Sequence, residues 1–172
     1  MHYFKTNKII KKSLLLNNIK YLNNNVKIFD GYLFTIPSLL DAKKVYFLNE
    51  NLYNYVERIN SQINTRKSQQ VISNHEFFLT MKKVFFEKQY FDRDKIFATS
   101  ICLSSLNRVL MSDDDYNIKY KYLKLLRHLK EFDLCLDWVN YNRWQLNEHQ
   151  QNIINLFEQQ KYKKIIKNYT RC

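Results

Sequence analysis

The chain has 172 residues, 45% of them apolar and 16% aromatic, and carries a formal charge of +12. That length and apolar content exclude a disordered chain and suffice for one domain with a buried core. A single Gly and a single Pro exclude a phosphate-cradling glycine loop and favour long helices joined by polar Asn, Asp and Ser turns. The charge favours phosphates, anionic lipid headgroups or nucleic acid, without choosing among them. An AT-rich coding sequence also produces such an excess of Lys, Asn, Ile and Tyr. Cys102, Cys135 and Cys172 are widely spaced and form no CxxC or Cys/His cluster. They are expected to be idle thiols in a reducing compartment, neither a disulfide framework nor a zinc site. No apolar run approaches the roughly 18 residues that cross a bilayer, which predicts a cytoplasmic protein, at most peripheral on the inner membrane face.

In chain order, Ser13 is expected to cap a short helix beginning at Leu14, and Asn23-Asn24-Asn25 reads as a loop. Asp30-Gly31 opens an apolar run, Tyr32, Leu33, Phe34 and Ile36, broken by Pro37. Val45-Tyr46-Phe47-Leu48, Asn49-Glu50-Asn51 and Leu52-Tyr53-Asn54-Tyr55 read as strand, polar turn and strand.

Four blocks of this first third stand in one order: Asn7-Lys8-Ile9-Ile10-Lys11-Lys12-Ser13-Leu14-Leu15, Lys27-Ile28-Phe29-Asp30-Gly31-Tyr32-Leu33-Phe34, Ala42-Lys43-Lys44-Val45 and Asn51-Leu52-Tyr53-Asn54-Tyr55. Together, over about residues 3 to 65, they resemble the acceptor-side segment of the family 2 glycosyltransferases. These are inverting GT-A enzymes that build bacterial surface polysaccharides and lipooligosaccharides. The resemblance implies an α+β, predominantly helical chain: residues 1–70 the acceptor-side part of a GT-A fold with a small β-hairpin, and residues 71–172 a C-terminal helical bundle or tail.

The same resemblance implies a general-base carboxylate, which must take the acceptor's proton as its oxygen attacks the anomeric carbon. Asp30 falls on the family's Glu, and Gly31 on its catalytic Asp, so Asp30 serves as base only with a one-residue slip. The other reading makes Asp30 a helix N-cap. Arg58 matches the family's Arg after the hairpin, where a guanidinium suits phosphate; pairing with Glu57 or Glu50 is the plainer alternative. Lys8 matches a position near the acceptor. The nucleotide-binding half and its D-x-D metal motif have no counterpart ahead of these blocks. No cofactor is therefore expected in this chain, Mg or Mn being implied only for a complete family member, and the chain alone is expected to be inactive. The implied partners are a separate nucleotide-binding half and a glycan or lipid-linked acceptor. Asp92-Arg93-Asp94 and Asp113-Asp114-Asp115 match D-x-D, but each precedes a helical run and reads as helix capping.

From residue 70 the pattern is helical. Apolar residues recur at three- and four-residue steps through Phe77 to Phe85, Ile96 to Leu110, Ile118 to Leu129 and Phe132 to Val139. A last helix, opened by Asn147 and running to Tyr169, carries Lys161, Lys163, Lys164, Lys167 and Arg171 beside an apolar face. Over 147–171 it is the sequence's candidate for an anionic membrane surface, the other reading being an amphipathic helix packed on its neighbours with its lysines solvated. No hydrolase motif, metal-spaced histidines or internal repeat is present. The alternative function is a basic helical, ribonucleoprotein-type module that binds nucleic acid, permitted by charge and interleaved Tyr and Phe.

Overall fold

The computed structural model describes residues 9–46, 67–90 and 93–169, save for the side chains at 94, 96 and 99. These residues form eight α-helices: α1 Lys12–Asn18, α2 Asp30–Asp41, α3 Gln70–Glu87, α4 Arg93–Leu110, α5 Tyr116–His128, α6 Phe132–Tyr141, α7 Glu148–Glu158 and α8 Tyr162–Tyr169. Short 3-10 turns, Ile19–Tyr21 and Arg143–Gln145, follow α1 and α6.

Among the described residues there is no strand, so the expected α+β GT-A architecture with a β-hairpin gives way to an all-helical one. Val45 and Tyr46, expected to open the hairpin, are irregular, and both side chains are exposed, Tyr46 to 84%. A strand needs a partner for its backbone and a face for its side chains, and among the described residues Val45 and Tyr46 meet neither. Positions 47–55 of that hairpin lie outside the described residues.

α4 is the central helix, packed between α3 and α6 and touching α5. α1 lies on α2, α2 on α3, α5 on α6 and α8, and α7 on α8. One apolar core runs through the whole array, from Tyr21, Val26 and Leu33 through Phe77, Met81, Leu106 and Leu126 to Phe157 and Ile165. It is therefore continuous across position 70. The periodicity of α3 explains its share: Phe77, Phe78, Met81, Val84 and Phe85 are all buried. Aromatic rings join α2 to α4 through α3, with Phe29 and Phe77 centroids 5.3 Å apart, Phe77 and Phe97 5.9 Å, and Phe85 and Phe97 5.2 Å. The loop before α2 is fixed to α3 by Ser73, whose Oγ accepts from the backbone N–H groups of Lys27 at 2.7 Å and Ile28 at 2.9 Å.

The helix ends differ from the sequence reading in instructive ways. α1 starts at Lys12 with no side-chain cap, so Ser13 is inside the helix. α2 starts at Asp30, as a helix opening there requires, but its N-cap is Phe29 in the left-handed region at φ 68°. Asp30 is the first helical residue, so its carboxylate complements the helix dipole and does not cap. Asn147 does cap α7, its Oδ1 accepting from Gln150 N while the Gln150 side chain returns to Asn147 N. The expected single helix from Asn147 to Tyr169 is two, broken where Gln160 takes φ 55°. There Lys161 N donates to Leu156 O at 2.9 Å and Gln160 N to Phe157 O at 3.0 Å, the double closure that ends a helix in a left-handed residue. Gln89 closes α3 the same way, with Tyr90 N on Phe85 O at 2.8 Å.

Candidate functional site

Of the three residues the sequence assigns to a site, Asp30 alone lies among the described residues; Lys8 and Arg58 lie outside them. Asp30 is exposed at the first turn of α2. Gly31 is buried, and its carbonyl accepts the Thr35 hydroxyl at 2.9 Å. A carboxylate at position 31 would point into protein, so Asp30 is the residue of the pair that an acceptor could reach.

Of the D-x-D strings, Asp113-Asp114-Asp115 is engaged at the start of α5 through Asp114 and Asp115. Asp115 caps α5, its Oδ1 accepting from Ile118 N at 2.9 Å. Asp114 accepts from Ser68 N at 2.6 Å and faces Lys67 Nζ at 3.8 Å. Burial raises the Asp114 carboxyl, but these partners outweigh it and hold the group below the usual carboxylate range. Nearby Lys119 is buried and donates to Leu110 O, the open C-terminal end of α4, at 3.3 Å. Burial lowers its ammonium, with Asp114 and Asp113 opposing. Asp92 lies outside the described residues, and Arg93 begins α4. Among the described residues no three His, Cys, Asp or Glu groups come together to hold a metal.

A cleft of about 470 Å³ opens between the ends of α1, α2 and α3, lined by Lys20, Tyr21, Asp41, Glu87, Lys88 and Tyr90, among others. Its charges satisfy one another. Lys20 Nζ meets Glu87 at 2.7 Å, Tyr21 donates to Glu87 at 2.8 Å, Lys88 meets Asp41 at 2.6 Å, and Asn18 Nδ2 donates to Asp41 at 2.8 Å. Burial raises Asp41, yet Lys88 and Asn18 outweigh it and keep the carboxyl low. Hydrogen bonds from Lys20 and Tyr21 do the same for Glu87. This network latches the N-terminal helices to the end of α3.

A different surface concentrates uncompensated charge. α5 and α8 pack together, and neither span contains an acidic residue. Lys121 and Lys124 on α5 and Lys163, Lys164 and Lys167 on α8 are exposed. Tyr116 and Tyr120 stack at 6.4 Å along α5, Lys124 lies 5.9 Å above the Tyr120 ring, and Tyr120 meets Tyr162 edge-on at 6.0 Å. Comparison with protein-family profiles, curated proteins and solved structures returns no match. On its own chemistry, a lysine-rich face with tyrosine rings beside it can hold a polyanion.

The sequence reading missed the α5 half of this face. Its signal was present, since residues 116–128 contain four basic residues and no acid, but the lysines become significant only once α8 is folded against them. Of the two readings of the last helix, a membrane-surface face or packing on its neighbours with solvated lysines, α8 takes the second. Tyr162, Ile165 and Ile166 are buried, while Lys163, Lys164 and Lys167 are exposed. Trp138 is half-buried with Lys95 Nζ 4.4 Å above its ring, whereas Trp144 is 79% exposed.

Proposed function

We propose that the chain is the acceptor-side component of a sugar-transferring assembly, without activity by itself, working on a surface-glycan or lipid-linked acceptor at the inner face of a membrane. The reading is supported by the four-block resemblance and carried by one observation, the exposed Asp30 carboxylate at the first turn of α2. Asp30 is the general base in this reading, Lys8 and Arg58 bind substrate, and a nucleotide-binding partner supplies donor and metal sites. That no described helix is long and apolar enough to cross a membrane fits attachment from one side.

Two measurements test it. Calorimetric titration of the isolated chain with nucleoside diphosphate and Mn²⁺ should give no binding, and tight binding would contradict an absent donor site. Sugar transfer in extracts of cells deleted for the chain should return on adding wild type but not Asp30→Asn; equal rescue by both removes Asp30 from the chemistry.

A second reading is favoured by the α5–α8 face: binding of single-stranded nucleic acid, with backbone phosphates along the lysines and bases against Tyr116 and Tyr120. Filter binding across a salt series separates it from the first. Steeply salt-dependent binding that Lys121→Glu/Lys124→Glu weakens, with a salt slope reduced by about 1 per lost phosphate contact, promotes it. Weak binding unchanged by that variant rejects it.

A further inference from the structure

The N-terminal end of the array exposes apolar surface that the core does not claim. Lys12, Leu16 and Ile19 stand four and then three residues apart, on one side of α1 and the turn after it, and all are exposed, Leu16 to 54% and Ile19 to 56%. The opposite side is inward, with Asn18 and Tyr21 buried. Ile9 and Leu22, on either side, are exposed as well. The Asn18–Asp41 hydrogen bond, 2.8 Å, brings the end of α1 to the end of α2, where Lys43, Lys44, Val45 and Tyr46 follow, every one exposed. Aliphatic and basic side chains are therefore gathered at one end of the molecule. The acids there, Asp41 and Glu87, are neutralised by Lys88 and Lys20.

We propose that this end, through Leu16 and Ile19 with Lys12 beside them, and through Lys43, Lys44 and Val45 on the segment that follows α2, docks on an anionic lipid surface. The proposal deepens the membrane-facing part of the function above and rests on that part alone, needing neither donor nor base. The residue types choose the occupant. Among the described residues the flanking cations are lysines, Lys12, Lys43 and Lys44, whose ammonium groups suit phosphate headgroups. Leu16, Ile19 and Val45 offer aliphatic groups that enter the acyl boundary and that a nucleic-acid backbone would leave uncovered. Lysines reach from that depth to the headgroups, and Tyr46, 84% exposed, has a ring and hydroxyl suited to the interface. α8 cannot dock in this manner, since its isoleucines are in the core.

Vesicle co-sedimentation of the full chain tests the proposal, using phosphatidylcholine alone and phosphatidylcholine mixed with phosphatidylglycerol. The chain should bind the mixed vesicles only. Leu16→Glu/Ile19→Glu should bind at least about tenfold more weakly, Lys43→Glu/Lys44→Glu should also lose affinity, and Lys163→Glu/Lys164→Glu should bind as wild type. Circular dichroism melts establish that the variants fold, with Leu16→Ser/Ile19→Ser replacing the Glu pair if it does not. Equal binding to both vesicle types, or undiminished binding by the folded Leu16/Ile19 variant, overturns the proposal. So does an equal loss in the α8 variant, which would move the contact to the α5–α8 face. A dimer in sedimentation velocity that the Leu16/Ile19 change dissociates, without vesicle binding by wild type, would assign the surface to a second copy instead. Because vesicle binding involves neither nucleotide nor transfer, its failure leaves the titration and rescue experiments above to stand or fall separately.

Discussion

His75 shows how one side chain inside a helical core sets a pH dependence. It is 4% exposed on α3, its ring nitrogens meet no well-aligned partner, and Phe78 lies 6.2 Å away. Burial lowers its pKa below 6.5, with Glu76, Glu131 and the Lys130 backbone opposing. The folded protein thus binds this proton less readily than the unfolded chain. As pH falls below 6.5 the unfolded state gains protons first and stability drops, until folded His75 itself protonates. The melting temperature should fall over that interval, and His75→Phe, which keeps the volume and removes the proton site, should flatten this part of the profile. An unchanged slope would remove His75 as its source. Burial likewise raises the free thiols of Cys102 and Cys135, the latter to about 12, in keeping with the idle thiols read from the sequence.

At the scale of elements, the chain's shortage of glycine has a structural cost. Gln89 and Gln160 hold the left-handed conformation that ends α3 and α7, and both are exposed. Glycine there relieves roughly 1–2 kcal/mol of backbone strain against roughly 0.5–1 kcal/mol of added chain entropy. Gln160→Gly and Gln89→Gly should each raise stability by about 0.5–1 kcal/mol in denaturant titrations. Glu131, also left-handed at φ 62°, should not follow, since its carboxylate meets Lys82 at 2.6 Å and glycine would lose that pair. A gain at 131 equal to that at 160 would contradict this account. The same substitution pattern explains what was legible. The helices of the second half were readable because their apolar steps are regular, and Asn147 announced α7 by residue type. The break at Gln159-Gln160-Lys161 was invisible, because none of those residues usually punctuates a helix. The expected hairpin failed differently: β-branched and aromatic residues mark a strand only where a neighbouring strand exists, which local composition cannot reveal. For the candidate site, Asp30 at a helix opening was legible, but the burial of Gly31 and the pairing of α5 with α8 depend on tertiary contacts.

At the scale of the whole molecule, stability should be concentrated around α4 and the core beyond it. Phe132 and Phe157 are fully buried with centroids 6.0 Å apart, joining α6 to α7. Phe132→Ala should cost about 3–5 kcal/mol in denaturant unfolding, against less than about 0.5 kcal/mol for Trp144→Ala on the surface. Comparable losses at the two positions would mean that α6 and α7 are not joined through this core. The position of α4, with α3 on one side and α6 on the other, also decides how the molecule comes apart. Solvent can peel α1 from one extremity and α7 with α8 from the other while the middle stays shut. Amide protons of α4 should therefore exchange only through complete unfolding and those of the outermost helices through small local openings, so that the protein wears away from its two ends inward.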